Sequence, residues 1–236
     1  MIRIVSFKIC PFVQRVTGML EAKSIAYHID YIDLSNKPQW FLDISPTGQV
    51  PVLVTETGMA LFESDAIVEY IDDITPPLIA DQSPEDRAIQ RAWSYQASKH
   101  YLVQCSMMQS ADRDTLAVRQ KKQDSAFGRV EAVLGEGPYF AGDSVSNVDV
   151  AWLPLLHRAA LVERHNGFDC LSDFPKVKAW QNAILGTGLA EASVPDDFDE
   201  KFGRFYLSDR TWLGRGADTD EPAMGNVHAQ RSSCCG

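Results

Sequence analysis

Apolar positions along the first eighty residues switch between period two and period 3.6. Ile2 to Phe7, with Ile2, Ile4, Val5 and Phe7 apolar, reads as a short strand, and Tyr27, Ile29 and Tyr31 alternate with His28 and Asp30 as a second. Between them Phe12, Val16 and Met19, with Val13 and Leu20 beside them, recur at helical spacing. Val50 to Val54 is a compact apolar run, Thr57-Gly58 offers a turn, and Met59 to Phe62 predicts a return strand. From Ser64 onward Ile67, Val68 and Ile71 form another apolar helical face. The order is βαβ, a long connecting segment, then ββα, which predicts a small mixed sheet covered by helices.

The paired prolines of Thr75-Pro76-Pro77 can continue neither a helix nor a strand. Ser83-Pro84-Glu85-Asp86 then opens a helix: serine caps, proline suits the first turn, and acids favour its positive end. Beyond it strand signals fade and helical patterns follow one another to about Leu213. Ser146-Asn147-Val148-Asp149 reads as a capping box with Asp in the Glu or Gln position, and Pro154 should bend the helix that follows. Another helix is expected from Asp173 to Leu185, ended by Gly186. The fold class is therefore α/β plus all-α. An α/β unit covers 1–75, a linker 76–82, a helical bundle 83–214, and a tail of disordered composition 215–236.

Charge narrows the partners. There are 32 Asp and Glu against 22 Lys and Arg, for a net charge of −10. Nucleic acid and anionic membrane surfaces call for the opposite balance, so neither is an expected partner. No apolar stretch is long enough to span a bilayer, and the N-terminus carries no signal-peptide pattern. Five scattered cysteines are unlike a secreted disulfide framework, so a reducing, cytoplasmic setting is expected. No metal-ligand spacing is present.

Chemistry concentrates at three places. Cys10 stands between a strand and a helix, with Pro11 at the first helical position. Unpaired N–H groups and the helix dipole there favour a thiolate, and Lys8 is close in sequence. The third residue after Cys10 is Val13, so the site is monothiol and needs an outside thiol to resolve it. Ser45-Pro46-Thr47-Gly48-Gln49-Val50-Pro51 leads into the third strand. A cis Val50–Pro51 bond would turn the Val50 backbone outward to pair with a bound peptide, and an ordinary edge-strand proline is the equal alternative. Glu63-Ser64-Asp65, at a helix start, suits a ligand's α-amino and α-carboxylate end, although such a triplet is more often only a well-capped helix.

The stretches CPFV at 10–13, NKPQWF at 36–41, SPTGQVPVL at 45–53, FESDAIVEYID at 62–72 and SVSNVDVAWLPL at 144–155 resemble the glutathione transferase superfamily, most closely its omega class. The resemblance runs from about Ile2 to Tyr206. It implies a thioredoxin-like domain, a helical domain, a homodimer, and glutathione as co-substrate. By position Cys10 matches the nucleophile, Lys37 the holder of the glycine carboxylate, and Val50, before Pro51, the residue whose backbone pairs with the cysteinyl unit. Glu63 and Ser64 match the γ-glutamyl binders, Phe12 should pack near the sulfur, and Gln49 belongs to the same loop. Tyrosine-type relatives need a hydroxyl where this chain has Phe7.

The activity so implied is glutathione-dependent thiol transfer through a Cys10–glutathione mixed disulfide, with small or protein disulfides or electrophiles as acceptors. Two alternatives stand beside it. One is a conjugating transferase or lyase acting on small electrophiles or aryl ethers. The other is a non-enzymatic glutathione-binding or chloride-channel-like protein, against which the acidic charge argues. The acceptor pocket is expected on one helix face formed by Tyr101, Gln104, Cys105 and Met108, with Phe205 and Trp212 closing over it. Core packing is the competing role of that face.

Overall fold

The computed structural model describes residues 1–216; the tail expected over 215–236 lies outside the described residues except for its first two positions, and Cys234 and Cys235 lie outside them. The chain begins with β1 (Ile2–Ser6), α1 (Pro11–Ala22), β2 (Tyr27–Tyr31), α2 (Gln39–Ile44), β3 (Val52–Val54), β4 (Ala60–Phe62) and α3 (Ser64–Asp73). The sheet order is β2-β1-β3-β4, with β1 parallel to β2 and antiparallel to β3, and β3 antiparallel to β4. As an inner strand, β1 buries Ile2, Ile4, Val5 and Ser6 and leaves only Arg3 partly exposed. This is a thioredoxin-like domain.

This half of the chain departs from the sequence reading at β3 and in the segment before it. The third strand starts at Val52 rather than Val50, since Pro51 has no N–H to give a ladder; the Val50–Pro51 bond is cis. The segment ahead of it holds α2, six residues that bury only Phe41. That is too short a stretch to show a period.

The helical domain comprises α4 (Pro84–Met108), α5 (Arg113–Glu131), α6 (Asn147–Asn166), α7 (Pro175–Leu185), α8 (Leu189–Ala192), α9 (Phe198–Tyr206) and α10 (Trp212–Arg215). Ser83 caps α4 by accepting the Asp86 N–H at 3.0 Å. The capping box is present at the start of α6, which runs through Pro154 without interruption. The α7 helix starts at Pro175 rather than Asp173, with proline at its first position. It ends at Leu185 with Gly186 as its C-cap, as expected, and the glycine of positive φ comes two residues later at Gly188.

Two apolar cores meet along α1 and α6. One gathers the sheet, α1, α3 and the C-terminal helices; the other gathers Phe127, Trp152 and Trp180 inside the helical domain. Phe12 packs against both. Since α6 is buried on nearly every side, it acts as the central post on which α1 and α4 lean. No described helix is long and apolar enough to cross a membrane.

Candidate active site

The turn after β1 places Cys10 as the N-cap of α1. Its backbone is extended, its N–H donates to the Phe7 carbonyl, and its carbonyl accepts the Gln14 N–H that opens the helix. Pro11 fills the first helical position, where a missing N–H costs nothing. The thiol therefore sits at the positive end of a twelve-residue helix, just below the surface at 1% exposure. Cys10, Cys105 and Cys170 are thiols, not disulfides.

What fixes this turn comes largely from α6. The Arg158 guanidinium, fully buried, donates to the Ile9 carbonyl at 3.1 Å, to the Pro154 carbonyl at 3.0 Å and to Gln14 Oε1. Gln14 Nε2 in turn lies 2.9 Å from His157 Nδ1 and 3.3 Å from the Ser193 hydroxyl. Thr17 donates to the Ser193 carbonyl at 2.7 Å. A buried hydrogen-bonded network of this kind, in which only Arg158 Nε lacks a partner among the described residues, holds one geometry against alternatives. His157 stays neutral within it: burial, then Arg158 and Arg164, bring its pKa down to about 3.

On one side of Cys10 lies a narrow cleft of about 110 Å³ lined by Phe12, Gln49, Val50, Pro51, Glu63 and Ser64, together with Thr47, Phe62 and Leu102. Glu63, at the N-cap of α3, has φ of +66°, a conformation that costs a residue with a Cβ about 1–3 kcal/mol and is held only where surroundings enforce it. Asp65, one residue into α3, forms an ion pair with buried Arg15 of α1 and accepts from Ser98 of α4 at 3.0 Å. Those contacts clamp the start of α3 between the two domains. Lys37 stands beside the cleft, not in its lining, and donates to the Gly48 carbonyl at 2.9 Å.

Six of the sequence-selected ligand residues thus share one cleft, Cys10 is not in its lining but stands two positions before the wall residue Phe12, and Lys37 is joined to its loop. The expected acceptor face does not line an opening. Tyr101, Gln104, Cys105 and Met108 are buried at 0–1% exposure; the Tyr101 hydroxyl donates to the Ala151 carbonyl, and Gln104 donates to the Leu155 carbonyl at 2.8 Å. These four are core, because the face they form is the one α4 packs against α6. Tyr101 still packs edge-to-face on Phe12, their ring centroids 5.1 Å apart. Trp212 is buried against Phe168. Phe205 lines a separate opening of about 560 Å³ with Phe7, Lys8 and Ile9. That opening, the Arg15–Asp65 pair and the Arg158 network were not anticipated. The one available signal was charge on an apolar helical stripe, as Arg15 on α1 and Arg158 on α6.

Comparisons with known proteins agree with this architecture. Residues 9–74 match the family model described as "Glutathione S-transferase, N-terminal domain", and residues 110–182 match "Glutathione S-transferase, C-terminal domain". Glutathione S-transferase omega-1 of Sus scrofa is 31% identical over 189 residues, covering 78% of this chain and 77% of that protein. A probable glutathione S-transferase DHAR1, cytosolic, of Oryza sativa subsp. japonica is 30% identical over 178 residues, covering 75% and 79%. Among solved structures, glutathione transferase Omega 3C from Trametes versicolor superposes with a TM-score of 0.70 at 26% identity, covering 83% of this chain and 89% of that one. Rice GST1 in complex with glutathione gives 0.73 at 25% identity, covering 87% and 95%. With both family domains in order and an omega-class relative matched over most of its length, the chain belongs to the glutathione S-transferase superfamily of enzymes and is omega-like.

Proposed function

We propose that this protein is a glutathione-dependent thiol transferase that works through a Cys10–glutathione mixed disulfide. The observation that carries the reading is a single cysteine at the N-cap of α1, beside a cleft lined by Val50, the cis proline Pro51, Glu63 and Ser64. In this reading the buried N-terminus of α3 and the Ser64 hydroxyl receive the γ-glutamyl carboxylate, and Glu63 holds its ammonium. The Val50 backbone pairs with the cysteinyl unit as an added strand would, Gln49 stands beside it, and Lys37 faces the glycine carboxylate. Phe12 packs against the sulfur.

The reaction is two thiol–disulfide exchanges. The Cys10 thiolate attacks the glutathionyl sulfur of a mixed disulfide; the acceptor's thiolate leaves and takes a proton from solvent. A second glutathione, as thiolate, then attacks the same sulfur, releasing glutathione disulfide and restoring the Cys10 thiolate. Val13, where a dithiol enzyme carries its second cysteine, cannot resolve the intermediate. The setting proposed is the reducing cytoplasm, with the protein a homodimer.

The test uses Cys234→Ser/Cys235→Ser protein with and without Cys10→Ser. Intact mass after glutathione disulfide treatment should show one glutathione adduct, and hydroxyethyl disulfide should be reduced, with both lost on Cys10→Ser. Full activity in the Cys10→Ser protein, or aryl halide conjugation as its main activity, would overturn the thiol-transfer mechanism.

A further inference from the structure

Two openings take wall residues from the turn that carries Cys10, which is itself buried at 1% exposure and lines neither. Phe12 lines the narrow cleft, and Ile9 lines the larger cavity of about 560 Å³. That volume is in the range of small-molecule sites. Its apolar walls come from Phe7 and Ile9 after β1, Ile32 after β2, and Phe205 on α9. An aromatic or aliphatic body is what such walls accept.

The charge lining the cavity opposes that of the protein as a whole. In a chain of net charge −10, it is lined by Lys8, Lys201 and Arg204 and by one acid, Asp33. Asp33 already accepts the Ser35 N–H at 2.8 Å and the Ser35 hydroxyl at 2.7 Å. Lys8 is paired with Asp197 at 2.6 Å, and Arg204 with Glu200 at 2.8 Å across an exposed contact of little strength. The Lys201 N–H donates to the Asp197 carbonyl at 3.0 Å, but its ammonium group makes no hydrogen bond or ion pair among the described residues, Asp197 feeling its charge only at a distance. The Tyr31 phenol, its pKa pushed up to about 12 by burial and by Asp197, is neutral at working pH and able to donate.

We propose that this cavity receives the acceptor half of the substrate, and that the acceptor class is an apolar, preferably aromatic, thiol carrying a carboxylate. The proposal rests on the thiol-transferase reading above. The apolar body lies among Phe7, Ile9, Ile32 and Phe205, and the carboxylate meets Lys201 and Arg204 on α9. Cys10 attacks the glutathionyl sulfur held in the narrow cleft. The S–S bond breaks, and the carboxylated thiolate departs into the cavity and is protonated by water.

The probes are the mixed disulfides of glutathione with 4-mercaptophenylacetate and with 4-mercaptophenylacetamide. Their methylene group insulates the sulfur from the difference in charge, so the leaving groups are closely matched. The readout is the ratio of their kcat/KM values. A ratio of about five in favour of the carboxylate is expected, falling toward one in Lys201→Ala/Arg204→Ala and in about 0.5 M salt. Lys201→Glu/Arg204→Glu should invert it. Equal turnover of the two probes by the unmodified protein, or a preference that survives both double substitutions, would overturn the assignment of acceptor class and site. Turnover that persists in Cys10→Ser would instead sink the underlying mechanism.

Discussion

His157 offers a measurement of how tightly the helical domain braces the catalytic turn. Its ring is 6% exposed, stacks on Phe198 at 5.3 Å, and presents Nδ1 to the Gln14 amide. Gln14 Nε2 is a donor, so this arrangement requires an unprotonated Nδ1. Protonation would set two donors against each other and add a cation beside Arg158. The folded-state pKa is accordingly about 3, against an ordinary 6.5. A depressed pKa of this kind contributes stability that is fully present above pH 6.5 and is lost as pH falls toward 3. Between about pH 7.5 and pH 5 the unfolded chain takes up the proton and the folded protein does not, a differential worth about 2 kcal/mol. The assay is urea unfolding across that range at fixed protein concentration, with wild type compared with His157→Asn. Asparagine keeps an acceptor near Nδ1 but cannot titrate. It should be less stable at neutral pH by about 1–2 kcal/mol through the lost ring stacking, yet lose about 2 kcal/mol less on acidification. Parallel pH profiles for the two proteins would refute the reasoning.

Two further outcomes are expected. Asp149 accepts from Phe140 N–H, Ser146 N–H, the Ser146 hydroxyl and Trp180 Nε1 at 2.6–2.9 Å. Asp149→Ala orphans these buried donors and should cost about 3–5 kcal/mol in urea unfolding, with Asp149→Asn costing less; a loss under about 1 kcal/mol would contradict the assigned network. Cys105 and Cys170 are buried, and the Cys170 thiol is pushed up to about 12, by burial first and by nearby Asp169 and Asp124. Protein carrying Cys10→Ser, Cys234→Ser and Cys235→Ser should therefore be inert to a thiol reagent until denatured, when both remaining thiols react. A rapid native reaction would show that one of them is accessible.

What the sequence by itself determined is local. The period-two and period-3.6 patterns, the cap at Ser83, the box at Ser146–Asp149 and the Cys10-Pro11 junction are short-range preferences, and each is present in the fold. The choice at Val50–Pro51 was evenly balanced from its own residues, since the isomer is selected by surroundings that a peptide fragment lacks. Only the tertiary structure decided which chemically capable side chains meet a cavity. Tyr101, Gln104, Cys105 and Met108 have the spacing of a pocket wall, but the same spacing serves a helix interface, and packing against α6 turned them into core. The structural roles of Arg15 and Arg158 were hidden because Asp65, Gln14 and Ile9, the partners that fix them, lie fifty and more residues away. The cavity of Lys201 and Arg204 exists because α9 returns to the β1–α1 turn, nearly two hundred positions earlier in the chain. Periodicity tells which face of a helix is apolar; the path of the chain tells what that face meets.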